Sequence, residues 1–181
     1  MKLAVFASGS GTNFENLVRK GLAVDLLVTD KAEAQALKRA ETLGIQAYTF
    51  ELKAFESKQA YEQAILKLLT AHEIELIVLA GYMKIVSPTL LTAYEGRIIN
   101  IHPAYLPEFP GAHGIADAWQ AGVAESGVTI HYVDAGVDTG QIIAQRRVPR
   151  LPDDTLDSFE ARIHEMEYLL YPQVLKDLLD N

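Results

Sequence analysis

Over its first hundred residues the chain alternates short β-rich apolar runs with helical patterns, and this alternation narrows the possible folds more than any other feature. Residues 2–7, 23–29 and 75–80 read as buried strands, with 46–50 a weaker one. Helical patterns fall between them at residues 13–20, 32–43 and 55–72. In the last of these, Tyr61, Ile65, Leu68 and Leu69 make one apolar stripe. Strand, helix and strand at this spacing imply right-handed crossovers, hence a mostly parallel sheet with helices on both faces. Residues 96–102 supply a further strand and 112–121 a further helix. The pattern then changes. Residues 127–133 and 141–148 read as strands joined by Asp134-Ala135-Gly136-Val137-Asp138-Thr139-Gly140. That connection is too short to hold a helix, which predicts an antiparallel pair. Pro152-Asp153-Asp154-Thr155 opens a long C-terminal helix, with Thr155 or an Asp as its cap. The prediction is one α/β domain over residues 1–181: a mostly parallel twisted sheet, Rossmann-like, with an antiparallel C-terminal extension.

The length of 181 residues is enough to bury roughly two-thirds of the unfolded surface. The absence of cysteine rules out disulfides and thiolate metal sites and fits a reducing cytoplasm. No run approaches the ~20 apolar residues needed to span a bilayer, so no membrane partner is expected. A net charge of −8 argues against nonspecific nucleic-acid binding, which relies on a basic footprint. An anionic ligand would therefore need backbone N–H groups or a few local cations.

Asn100-Ile101-His102-Pro103 is the segment richest in chemistry. In an extended segment Asn100 and His102 share a side, because strand side chains repeat every two residues. Pro103 has no N–H to donate and ends ordinary pairing. An amide can hydrogen-bond an oxyanion, an imidazole can move protons near neutral pH, and a carboxylate such as Asp138 can favour the charged imidazole. The bland alternative is a strand end carrying a hydrogen-bonded core histidine.

The first βα turn, Ser8-Gly9-Ser10-Gly11-Thr12-Asn13, lets an anion approach the N–H groups at a helix start. Phe14 breaks the dinucleotide fingerprint, and no Gly-Lys-Ser/Thr follows as in a Walker loop. A small phosphate ester fits, as does a tight turn chosen for its dihedrals alone. Gly81-Tyr82-Met83-Lys84-Ile85-Val86 follows an apolar strand and could line a slot for a flat heterocycle, or simply pack. Pro110-Gly111 reads as a turn. His113 either assists near the site or caps the next helix, and His72 reads as a structural helix-end residue. Glu167 stands at helical spacing from Ile163 and Leu170, an acid on an apolar face that costs desolvation unless paired.

In this order and spacing the segments resemble the folate-dependent formyltransferase family over essentially the whole chain. The landmarks are Gly9-Ser10-Gly11-Thr12-Asn13, Ala80-Gly81-Tyr82-Met83, Asn100-Ile101-His102-Pro103, Leu106-Pro107, Pro110-Gly111-Ala112-His113, residues 134–140, and Glu167 with Tyr171-Pro172. The resemblance implies formyl transfer from 10-formyltetrahydrofolate, a consumed cosubstrate, to the amine of glycinamide ribonucleotide. No tightly bound cofactor and no metal are implied. Asn100, His102 and Asp138 would be catalytic. The N-terminal half would bind phosphate, and the C-terminal half would bind folate and carry the chemistry. Gly11, Thr12, Asn13, Gly81, Pro103 and Glu167 would contact the ribonucleotide. Lys58, Met83, Lys84, Ile85, Val86, Asn100, Asp134, Ala135, Val137 and Asp138 would contact the folate. A cis peptide is implied at Leu106-Pro107. Glu108, Ile115 and His164 depart from some relatives. The chain is expected to act as a monomer or weak homodimer.

Three other readings compete. A methionyl-tRNA formyltransferase would need an RNA-binding domain and basic surface after the last helix. A formyltetrahydrofolate hydrolase would carry a regulatory module before residue 2, where the first strand here begins. A noncatalytic phosphosugar-binding domain would leave Asn100, His102 and Asp138 unexplained.

Overall fold

The computed structural model describes the whole chain, Met1–Asn181. Its strands are β1 (Leu3–Phe6), β2 (Leu26–Thr29), β3 (Gln46–Thr49), β4 (Leu76–Leu79), β5 (Ile98–His102), β6 (Glu125–Tyr132) and β7 (Ile142–Pro149). Its helices are α1 (Thr12–Arg19), α2 (Gln35–Leu43), α3 (Lys58–Ala71), α4 (Pro88–Ala93), α5 (Gly114–Gln120) and α6 (Leu156–Asp180), with a single 3₁₀ turn at Leu52–Ala54. The hydrogen-bonded strand order is β3-β2-β1-β4-β5-β6-β7. By contacts the chain divides into two compact units, Met1–Ile99 and Asn100–Asn181.

In the first unit β1 pairs in parallel with both β2 and β4, and β2 pairs in parallel with β3. All residues of β1, β2 and β4 are buried, as expected for a parallel sheet covered on both faces. Phe14 and Leu17 of α1 and Ile65 and Leu69 of α3 complete this core. Burying a side chain of that size contributes roughly 1.5–3 kcal/mol. Strand order reverses between β1 and β4, which makes the ends of these strands a topological switch point.

Some boundaries differ from the sequence expectation, each for a local reason. The strand expected at 23–29 starts at Leu26, because the Asp25 carboxylate accepts the Leu3 N–H at 2.7 Å just before the ladder. The helix expected at 55–72 begins at Lys58, where Ser57 caps it by accepting the Ala60 N–H at 3.0 Å. α4 has no amphipathic signature, being only six residues long. Pro88 starts it, and the buried Glu62 carboxylate of α3 accepts the Ser87 and Leu90 N–H groups at 2.9 and 3.2 Å.

In the second unit β6 and β7 are antiparallel, as the short connection predicted, with an irregular register between Ile130 and His131. α6 packs against β6 and β7, and Phe159, Ile163, Tyr171 and Leu175 are among its buried residues. Thr155 is its cap, in a reciprocal box with Ser158, and the Asp154 carboxylate holds Arg162 at 2.6 Å. The Leu106–Pro107 bond is cis, as the resemblance implied.

Candidate active site

Alternation along β5 leaves Asn100 half-buried, places His102 in the interior, and ends the strand before Pro103. The chain that follows is held by a buried polar network. Thr129 Oγ1 accepts the Leu106 N–H at 3.0 Å and donates to the Ala104 carbonyl at 2.8 Å, while the Gln145 amide donates to the Leu106 carbonyl at 2.8 Å. Both nitrogens of His102 face oxygens that only accept. Nε2 lies 2.8 Å from the Phe109 carbonyl and Nδ1 lies 3.5 Å from Asp138 Oδ2. Only a doubly protonated ring would serve both. Gly114 sits directly on this imidazole: a Cβ there would lie 3.1 Å from His102 Nε2 and from the Phe109 carbonyl.

Asp138 reaches His102 from a loop built around its own backbone needs. Its φ of 55° is left-handed, a conformation Asp tolerates better than most residues. Asp138 Oδ2 accepts the Gly111 N–H at 2.8 Å, tying the loop to the Pro110-Gly111 turn. Burial pushes its acidity toward the neutral form, but the His131 ring that faces it and the Gly111 N–H, with His102 close by, outweigh it. The carboxyl is therefore held below its ordinary range. At the loop entrance Asp134 Oδ1 accepts the Gly136 N–H at 3.0 Å and the Thr139 hydroxyl at 2.7 Å. These bonds, the Thr139 hydroxyl first, lower the Asp134 pKa. Gly140 is required sterically, since a Cβ would come within 1.7 Å of the Tyr132 carbonyl oxygen. Val137, at the loop tip, is exposed.

His131 is a further residue at this site, outside the sequence expectations. It is buried on β6, donates from Nδ1 to the Tyr132 carbonyl at 2.9 Å, and directs Nε2 at Asn100 Nδ2 (3.3 Å) and Asp138 Oδ1 (3.5 Å). Its signal was a lone histidine within the otherwise apolar and hydroxyl-bearing run Val128-Thr129-Ile130-His131. His113 precedes α5 but makes no capping bond through its side chain, and it is exposed. His72 ends α3 against Tyr48, in the structural role expected.

On α6, Glu167 is buried and paired. His164 Nδ1 lies 2.5 Å from its Oε1, and this hydrogen bond, against opposing burial, raises the His164 pKa. Of the other departures, Glu108 forms an exposed ion pair with Arg147 at 3.4 Å, and Ile115 is half-buried.

In the first unit the turn after β1 and the turn after β4 meet at the switch point. The Ser8 N–H donates to the Gly81 carbonyl at 3.1 Å, and Ser8 Oγ accepts the Met83 N–H at 2.8 Å. Gly11, with φ 72°, precedes α1 without a side-chain cap, and a Cβ there would lie 2.6 Å from that of Ala36. Asn13 Oδ1 is buried with no hydrogen-bond partner, whereas Thr12 is half-buried. Arg39 of α2 donates to the Ser10 carbonyl at 2.6 Å, a cation beside the turn that local sequence did not reveal. Lys84 faces the buried Asp30 at 3.5 Å, and Lys58 donates to the Ile85 carbonyl. Met83 and Ile85 are 65% and 63% exposed, while Val86 is buried.

The sequence profile of the formyl transferase family matches residues 1–175. The chain belongs to that family. It is 50% identical to the phosphoribosylglycinamide formyltransferase of Bacillus subtilis over 98% of this chain and 94% of that protein. The crystal structure of phosphoribosylglycinamide formyltransferase from Streptococcus pneumoniae superposes with a TM-score of 0.97 at 65% identity, covering 98% of each chain. This chain is also 39% identical to the trifunctional purine biosynthetic protein adenosine-3 of Drosophila melanogaster, over 99% of this chain and 14% of that protein. Formyl transferase membership agrees with the order and spacing of the landmark segments.

Proposed function

We propose that the chain transfers the formyl group of 10-formyltetrahydrofolate to the amine of glycinamide ribonucleotide, giving N-formylglycinamide ribonucleotide and tetrahydrofolate in purine biosynthesis. The observation that carries this reading is the convergence of Asn100, His102 and Asp138 within the second unit. The amine lone pair forms a bond to the formyl carbon, and the carbonyl electrons move onto oxygen. An amide N–H of Asn100 and a protonated His102 stabilise that oxyanion. Collapse breaks the bond to the folate nitrogen, which takes up a proton while the former ammonium loses one. At 3.5 Å the His102 Nδ1 is too far from Asp138 for a strong hydrogen bond, so its proton is left available to the oxyanion.

Gly11, Thr12 and Asn13 are assigned to the phosphate, supported by the start of α1, which no side chain caps. Pro103 and Glu167 are assigned to the sugar end, with Gly81 to the ribonucleotide. Met83 and Ile85 of the first unit, exposed apolar side chains that suit a flat aromatic ring, are assigned to the folate with Lys58 for an anionic tail, and the exposed Val137 of the second unit is assigned to it as well. The folate is consumed rather than held, and the chain works in the cytoplasm as a monomer or weak homodimer without nucleic acid or membrane. Mixing protein with 10-formyltetrahydrofolate tests the reading: tetrahydrofolate should be released only when glycinamide ribonucleotide is added. Equal release without the ribonucleotide would instead identify a hydrolase.

A further inference from the structure

We propose that His131 is a positioning residue that fixes which way the Asn100 amide points. The inference rests on the formyl-transfer reading and extends it to a residue outside the reacting groups. An amide is nearly symmetric in shape, so packing alone does not decide whether its nitrogen or its oxygen faces a given neighbour. The neighbour here is His131, 2% exposed and with little freedom of its own. Its Nδ1 donates to the Tyr132 carbonyl at 2.9 Å, which places the single proton of the neutral ring on Nδ1 and leaves Nε2 bare. A bare Nε2 only accepts, and Asn100 Nδ2 stands 3.3 Å away. One N–H of the amide is thereby spent on His131, and the second is left as a donor for the oxyanion. Were the amide reversed, its oxygen would face a second acceptor and the pair would repel. Asp138 Oδ1 is slightly more distant from the same nitrogen, at 3.5 Å, and cannot share a hydrogen bond with an unprotonated Nε2.

His131→Phe keeps a planar ring and removes the acceptor, whereas His131→Gln can still accept from the Asn100 amide. In steady-state formyl transfer, His131→Phe should lower kcat by about ten- to a hundredfold, with KM for both substrates within about twofold, and His131→Gln should recover most of the loss. In an Asn100→Ala background, His131→Phe should change kcat by less than about twofold, because its effect passes through the amide. The same drop in that background, or no drop in the parent, overturns the proposal. A second measurement needs no variant: long-range ¹H–¹⁵N spectra of the native protein at assay pH should show His131 as the Nδ1–H tautomer, and an Nε2–H or doubly protonated ring overturns it. If the native protein forms no tetrahydrofolate with the ribonucleotide, the formyl-transfer reading fails, and the spectra still test the geometry.

Discussion

His102 is confined by a carbonyl on one nitrogen, a carboxylate near the other and a glycine against its edge. Its catalytic work is assigned to transition-state charge, which bound substrates scarcely use. His102→Ala is therefore expected to nearly abolish turnover while ribonucleotide affinity stays within a few fold, as kinetics with calorimetry would show. Asn100→Ala should lose about 2–4 kcal/mol of transition-state stabilisation, the scale of one oxyanion donor. Near-native kcat in His102→Ala would defeat the mechanism. Gly114→Ala is a subtler test. The added methyl must displace the imidazole or the Phe109 carbonyl by a few tenths of an ångström, and small misplacements of a reacting group are costly. We expect kcat to fall about tenfold with thermal stability little changed; unchanged kcat would show that the ring has room to move.

At the scale of elements, α6 joins structural and candidate binding roles in one helix. The folded pKa of His164 is raised chiefly by its hydrogen bond to Glu167. The pair therefore stabilises the fold in full below the unfolded histidine pKa of ~6.5, and the contribution is lost as pH rises through the higher folded value. The ring is partly exposed, so screening keeps the effect under about 1 kcal/mol. Melting curves of the parent and His164→Gln should differ most near pH 6 and converge as pH rises toward 9; a gap that widens with pH would refute the assignment. Elements with a strong period or a cap, such as α3 and α6, were legible in the sequence. α4 was not, because its start is held by Glu62 of another helix rather than by its own cap.

Across the whole molecule, the net charge of −8 means that an anionic ligand would need local donors, for which the start of α1 and Lys58 are the proposed ones. The loop at residues 134–140 carries Asp138 together with an exposed Val137, and its ordering is tied to few bonds. Amide exchange in this loop should slow when a folate analogue is bound, relative to the free chain. Unchanged protection at residues 134–140 would count against a folate-responsive loop.

By itself the sequence determined the parallel strand–helix alternation, the antiparallel β6–β7 pair, a cap at Thr155 or a neighbouring Asp, and the shared side of Asn100 and His102. Each of these follows from periodicity or capping within a few neighbouring residues. Only the tertiary structure decided that His131 meets Asn100 from 31 residues away, that Gly114 bounds the imidazole, and that Arg39 lies beside the first turn. Such contacts join side chains on different elements, and local periodicity carries no record of which elements will meet. Glu167 belongs with the local features: its charge was visible on the helical face, and His164, which answers it, stands three residues earlier on the same helix.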